Sequence, residues 1–151
     1  MLLQLTMISL STFAVAILYQ VPPKTIIPAG LVGTLAWIIH LKLNSVSTVS
    51  PVASVFLASL WVGTVSEWLA RFMRVPATVF AISGIVTLVP GTAAFQTMRA
   101  FSMGDSFTGI TRFTETSLTA ASLAAGLVVA GSLARLRKKG HPHDKIRSLI
   151  P

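Results

Sequence analysis

Ile85-Val86-Thr87-Leu88-Val89-Pro90-Gly91-Thr92-Ala93-Ala94-Phe95 decides how this chain folds, because a proline and a glycine interrupt an apolar run of membrane-spanning length. Proline removes an intrahelical hydrogen bond and clashes with the preceding turn, and glycine adds backbone freedom, so the pair splits one span into two half-helices. Irregular backbone at membrane depth is tolerated only where protein or a water-filled cavity surrounds it. Broken helices therefore often line binding sites.

The run that holds the break covers residues 76–98, and four other apolar runs surround it, at 2–19, 26–43, 51–70 and 115–133. At 1.5 Å per residue, a run of about 20 crosses a hydrocarbon core of ~30 Å. The composition agrees: 53% of the 151 residues are hydrophobic and 11% are charged, whereas a soluble domain is nearer a quarter charged. With a mean hydropathy of +0.78, the chain reads as an all-α, polytopic helical membrane protein. Five transmembrane helices are expected, or four if 26–43 does not cross, with the fourth broken at Pro90-Gly91.

The connectors carry the usual boundary signals. Val21-Pro22-Pro23-Lys24 closes the first run, and Ser50-Pro51 reads as an N-cap with proline at the first helical position. Residues 99–113 read as a mixed loop around Gly104-Asp105 and Gly109. Nothing basic precedes the first run and no small-residue cleavage site precedes Tyr19-Gln20, so residues 2–19 read as a retained span. Val21-Pro22-Pro23-Lys24-Thr25 and Val75-Pro76-Ala77-Thr78 are alike, but the likeness is too short to define a repeat.

The net charge of +8 points to topology rather than nucleic acid, because six of the twelve Lys and Arg residues lie within 135–147. With five spans, Lys24, Arg71, Arg74 and the tail share one side, and Lys42, Arg99 and Arg112 share the other. The positive-inside asymmetry then divides the chain into a transmembrane domain, 1–134, and a basic cytoplasmic tail, 135–151, in a prokaryotic-type plasma (inner) membrane. His141 and His143 in that tail make a weak metal signal beside its role in anchoring the chain at anionic lipid. There is no cysteine, and no nucleotide-binding or hydrolase motif, so neither catalysis nor a cofactor or metal is expected.

Several residues are candidates for function. A helix restarting at Gly91 aims free amides and a partial positive charge at the break, a cradle for a carboxylate, with the Thr87 and Thr92 hydroxyls flanking Pro90 and Gly91. The plainer reading is a structural kink. Glu67 is the only carboxylate within a predicted span; it is a candidate for proton coupling, although Arg71 four residues on makes an end-of-helix ion pair the simpler account. His40 is a second coupling candidate, beside Trp37 and Lys42. Ser122, Gly126, Ala130 and Ala134 recur every four positions and form a small-residue stripe for helix packing.

Phe56-Leu57-Ala58-Ser59-Leu60-Trp61-Val62-Gly63-Thr64, then Val75-Pro76-Ala77-Thr78-Val79-Phe80 leading through Gly84-Ile85 to Leu88-Val89-Pro90-Gly91 and Thr97-Met98, resembles the membrane half of the threonine/serine exporter family. Within that family the chain is similar to the small integral membrane subunit, which looks like the C-terminal half of longer single-chain exporters. The resemblance implies secondary transport of a small amino acid or dicarboxylate, threonine, serine or succinate-like, driven by protons. It also implies a larger partner subunit with a cytoplasmic domain. A homo-oligomer is the other way to complete a pathway that five helices alone do not enclose. The alternative function is a structural or regulatory subunit whose stripe scaffolds a partner without touching substrate.

Overall fold

The computed structural model describes residues 2–45 and 49–138. Its elements are helices throughout: α1 (Leu2–Leu18), α2 (Pro23–Asn44), α3 (Pro51–Met73), α4 (Thr78–Val86), α5 (Gly91–Ser102) and α6 (Ser106–Lys138). α3 starts as its sequence predicts, with Ser50 Oγ accepting from the Ala53 amide at 3.2 Å and Pro51 in the first turn. The tail beyond Lys138, including His141, His143, Lys145 and Arg147, lies outside the described residues.

Three helices, α2, α3 and α6, are long and apolar enough to cross a membrane, and the pair α4 and α5 makes a fourth candidate bent by 47°. The chain is a polytopic helical membrane protein, with a span count that differs from five. Residues 26–43, the weakest of the expected spans, form one of the complete ones. The first run is the short one: α1 has 17 residues, about 25 Å at 1.5 Å per residue, because Gln20 takes a left-handed conformation (φ 52°) and Pro22-Pro23 stop the helix.

The expected loop at 99–113 is not there. α5 runs to Ser102 and α6 begins at Ser106, joined by a tight turn in which Gly104 has φ +77°. Asp105 caps α6, accepting from the Thr108 amide at 3.1 Å while its carbonyl accepts from Gly109 at 2.9 Å. A carboxylate that takes the Thr108 amide in the first turn makes helix the better state for residues that read as turn-prone one at a time. Hydrogen bonds with Thr108, first through its side chain and then through its amide, hold the Asp105 carboxyl below its ordinary value. A depressed folded-state pKa gives a stabilisation that is complete above the unfolded value and lost as pH falls through the folded one. Hydrogen-exchange protection at Thr108 and Gly109 is therefore expected to fall as acid is added below about pH 4. In Asp105→Asn that dependence should vanish.

α1 to α4 form a bundle, and the turns that close its two hairpins are built alike. Val21 donates to the Ala16 carbonyl at 3.1 Å after left-handed Gln20; Val75 donates to Ala70 at 3.2 Å after left-handed Arg74. Each is a six-to-one helix cap followed by Val-Pro. Pro22 and Pro76 lie 54 positions apart in the sequence, and the same offset relates buried Thr12 to Ser66, Ala16 to Ala70, Ala29 to Ser83 and Gly30 to Gly84. The short likeness of the two turns is thus part of a repeat of helical hairpins, α1–α2 and α3–α4. Only five of the aligned positions from 5 to 36 keep their identity, so burial reveals what letters hide.

Close approach holds this bundle together. A Cβ on Gly33 would strike the Thr12 side chain and come within 2.9 Å of the Ser83 carbonyl, and one on Gly84 would lie 2.7 Å from Val62. Phe80 and Val62 are fully buried. α6 stands apart: among the described residues it touches α3 and α5 alone, and α5 touches α6 alone. Ser122 Oγ donates to the Val52 carbonyl at 2.6 Å, so residues 106–121 project beyond the start of α3 by about 24 Å along the helix. α5 folds back along this projection as a two-helix arm.

Candidate functional site

The break is a turn set by proline. Pro90 has φ −77° and ψ 56°, the inverse γ-turn conformation, and the Gly91 amide donates back to the Val89 carbonyl at 2.8 Å. Gly91 needs no glycine: its φ is not positive, and a Cβ there would meet nothing within 4 Å. The repeat sharpens this. Pro90 corresponds to Ala36, where α2 continues without interruption and is fully buried. The second hairpin departs from the first at Pro90, and the helix beyond it leaves the bundle to lie on α6.

At the break the amides of Thr92 and Ala93 have no backbone acceptor, whereas Ala94 donates to Pro90 at 3.0 Å. Gly91 and Thr92 are exposed. The Thr87 hydroxyl is committed within its own helix, donating to the Gly84 carbonyl at 2.8 Å. Of the two flanking threonines, Thr92 is the one free to meet a ligand. Leu88 packs into a buried cluster with Ala36, Val55 and Leu123, which anchors the break at the end of the bundle where α2 finishes and α3 begins.

His40 lies at that same end. Its Nδ1 is 3.0 Å from Ser54 Oγ, and Ser54 donates its proton to the Pro51 carbonyl at 2.7 Å. The hydroxyl therefore accepts from His40, which places the imidazole proton on Nδ1 and leaves Nε2 as the acceptor. The Trp37 ring sits beside it, centroids 5.4 Å apart, and its indole Nε1 is buried without an acceptor. Sequence reading passed over Ser54, whose signal is its place one turn into α3 facing the end of α2. The unpaired Trp37 donor had no sequence signal at all.

Glu67 is at the opposite end, thirteen residues further along α3 than Ser54, or about 20 Å. The structure does not bring the two coupling candidates together. Nor does Glu67 pair with Arg71: the guanidinium turns to α6 and donates to the Ala134 carbonyl at 2.8 Å. The one ion pair among the described residues is Arg112 with Glu115 at 3.3 Å. Glu67 is left half-buried in a groove of about 650 Å³ between α3 and α6, with Thr64, Trp68, Leu133 and Leu136. Ser66 beside it is fully buried and its hydroxyl has no partner, unlike Thr12 at the equivalent place, which donates to Ile8 at 2.7 Å.

All four residues of the small stripe face α3. Ser122 bonds Val52, Gly126 lies against Ser59 and Phe56, Ala130 faces Gly63, and the Ala134 carbonyl takes Arg71. Basic residues also lie toward this end of α3: Arg71 reaches the C-terminal part of α6, and Lys24 shares a separate cavity of about 580 Å³ with Phe72, Met73 and Val75.

Residues 4–133, which take in α2 to α5 whole and most of α1 and α6, match a family model described as Threonine/Serine exporter, ThrE. Over 127 residues the chain is 30% identical to a protein of Mycobacterium tuberculosis named probable threonine/serine exporter, a match covering 83% of this chain and 24% of that one. Over 85 residues it is 35% identical to a threonine/serine exporter of Corynebacterium glutamicum, covering 56% of this chain and 17% of the relative. The chain thus spans a quarter or less of the curated relatives it matches. No solved structure matches it. On the strength of a match that runs from the first helix through the break to the α3-facing stripe, the chain belongs to the threonine/serine exporter family.

Proposed function

We propose that this chain is the membrane subunit of a secondary transporter that exports a small amino acid, threonine or serine, with a succinate-like dicarboxylate as the other carboxylate-bearing candidate. It works with a larger partner subunit and draws on the proton gradient. The observation that carries the reading is the break at Pro90 in a chain of this family: the free amides of Thr92 and Ala93 and the Thr92 hydroxyl suit a substrate carboxylate. His40 and Glu67, near opposite ends of α2 and α3, are the candidate proton carriers. Lys24, Arg71, Arg74 and the basic tail belong on the cytoplasmic side of the inner membrane, which puts the break and His40 toward the outer face.

The reading is tested in proteoliposomes by counterflow of labelled threonine, serine and succinate, with and without the partner. Threonine or serine exchange that needs both chains is the expected result, and succinate exchange alone would reassign the substrate. Gly91→Leu supplies the site test. With open space at that Cβ, the variant should keep wild-type yield and melting. It should lower counterflow about tenfold or more, as expected for losing ~1.4 kcal/mol of substrate contact; undiminished flux would take the break out of substrate binding. The alternative is a structural or regulatory subunit that scaffolds a partner without touching substrate; the Ser122 to Ala134 stripe packs on α3 of the same chain, and undiminished counterflow in Gly91→Leu would favour this reading.

A further inference from the structure

We propose that the arm formed by α5 and the first turns of α6 is the docking surface for the partner subunit, held through its aromatic flank. The proposal rests on the two-chain reading above. α5 and α6 meet along a seam marked by buried Thr97 and by Gly109, whose Cβ position is taken by the Phe101 ring. Counting 100° per residue from that seam, Met98 and Phe101 on α5 and Ile110 and Phe113 on α6 fall on one flank of the hairpin. Thr92, Gln96, Arg99, Thr111 and Glu115 fall on the other. The apolar flank carries no charge, faces away from α3, and is bare: Met98 is 71% exposed, Ile110 and Phe113 each 59%, and Phe107 at the tip 83%.

α4 and α5 together are long and apolar enough for one bent span, but lipid beside α3 does not reach this flank. α3 has 23 residues, enough by itself to cross a core of ~30 Å, and the arm begins where α3 starts and extends outward. Nor does a solvated arm account for it, since contiguous exposed apolar patches of this kind mark protein contacts. Two features identify the occupant. An uncharged flank of Phe, Ile and Met fits the apolar face of helices. And the curated relatives carry about three quarters or more of their length outside the matched segment, so that relatives of this chain hold in one polypeptide the mass that would cover the arm. On the two-chain reading, the partner subunit supplies that mass to this chain.

The chain has no cysteine, so single thiols report cleanly. Ile110→Cys and, on the polar flank, Thr111→Cys are expressed in native membranes, and each is also purified and reconstituted alone. Both are exposed to N-ethylmaleimide, which reacts only with thiols in contact with water, and the remainder is scored by a polymer-maleimide mass shift after denaturation. The expected result is that I110C is at least about fivefold slower than T111C in native membranes, and that the two react alike in the chain reconstituted alone. Equal rates in native membranes would overturn the proposal, because the flank then faces water. Protection of I110C in both preparations would overturn it too, in favour of lipid, or of a second copy if copper-phenanthroline joins I110C to I110C. The readout needs no transport, so this docking can fail while counterflow succeeds, and the reverse.

Discussion

Gly126→Ile is expected to dismantle the junction between α6 and the rest of the protein, with a loss of about 3 kcal/mol or more, the upper range for overpacked cores. A Cβ at this position would fall on Ser59 Oγ, 2.7 Å from the Phe56 carbonyl and 3.1 Å from the Leu60 amide nitrogen. Two of these three atoms are backbone, so no rotamer change makes room. Relief requires α3 and α6 to separate, and α6 has no other contact with the four-helix bundle. Ser122, Ala130 and Arg71 lose their partners with the same movement. The effect is measured as the midpoint of thermal unfolding of detergent-solubilised protein by size-exclusion fluorescence. Gly131→Ala is the control: it meets nothing within 4 Å and should be neutral or gain up to about 1 kcal/mol from helix propensity. Equal behaviour of the two variants would refute the close α3–α6 contact.

Pro90→Ala is expected to have the second large effect, on geometry and transport more than on stability. Alanine restores the missing amide and removes the ring clash, which in a helix interior favours continuity by about 3 kcal/mol. The first hairpin shows the state this would reach, because Ala36 at the equivalent place lies within an unbroken helix. A straightened α4–α5 helix would lift α5 off α6, exposing Thr97 and Gly109. Spin labels on cysteines placed at Ala81 and Phe95 should report a longer, narrower distance distribution than in wild type. Counterflow should drop about tenfold or more with the loss of the cradle. If the 47° bend persists in the variant, packing of α5 on α6 rather than proline sets it.

Much of this fold was legible because apolar periodicity and caps act locally. Ser50-Pro51 opened α3 where the sequence placed it, and the Pro90 interruption appeared as two helices. What failed to show in the sequence depends on distant residues. Arg71 lies in the right register for Glu67, but a carbonyl on α6, 63 positions away in the chain, offers it a better partner than a flexible carboxylate in a groove. The helical start of α6 was masked by turn-forming Gly104, Asp105 and Gly109, which here form a cap and a close contact with Phe101. The repeat escaped because a membrane bundle constrains the size of buried residues more than their identity. Thr12 against Ser66 and Ala29 against Ser83 satisfy the packing without looking alike. At the site, the break with Thr87 and Thr92 on either side could be read from sequence, whereas the commitment of Thr87 to its own helix, the exposure of Thr92, the His40–Ser54 contact and the buried Trp37 donor arise only in the folded chain.

The exclusive pairing of α5 with α6 also sets an order of events during synthesis. The four helices of the repeated hairpins have their contacts in hand once Val86 has emerged. α5 then leaves the ribosome with no surface to fold against, and it stays bare until α6, the last of the described helices, is threaded and reaches α3. For that interval the chain carries an unpaired amphipathic helix, the kind of transient apolar surface that invites misassembly. Quality control of this chain should therefore be most sensitive to slow codons beyond Ser106, where α5 is still waiting for its surface.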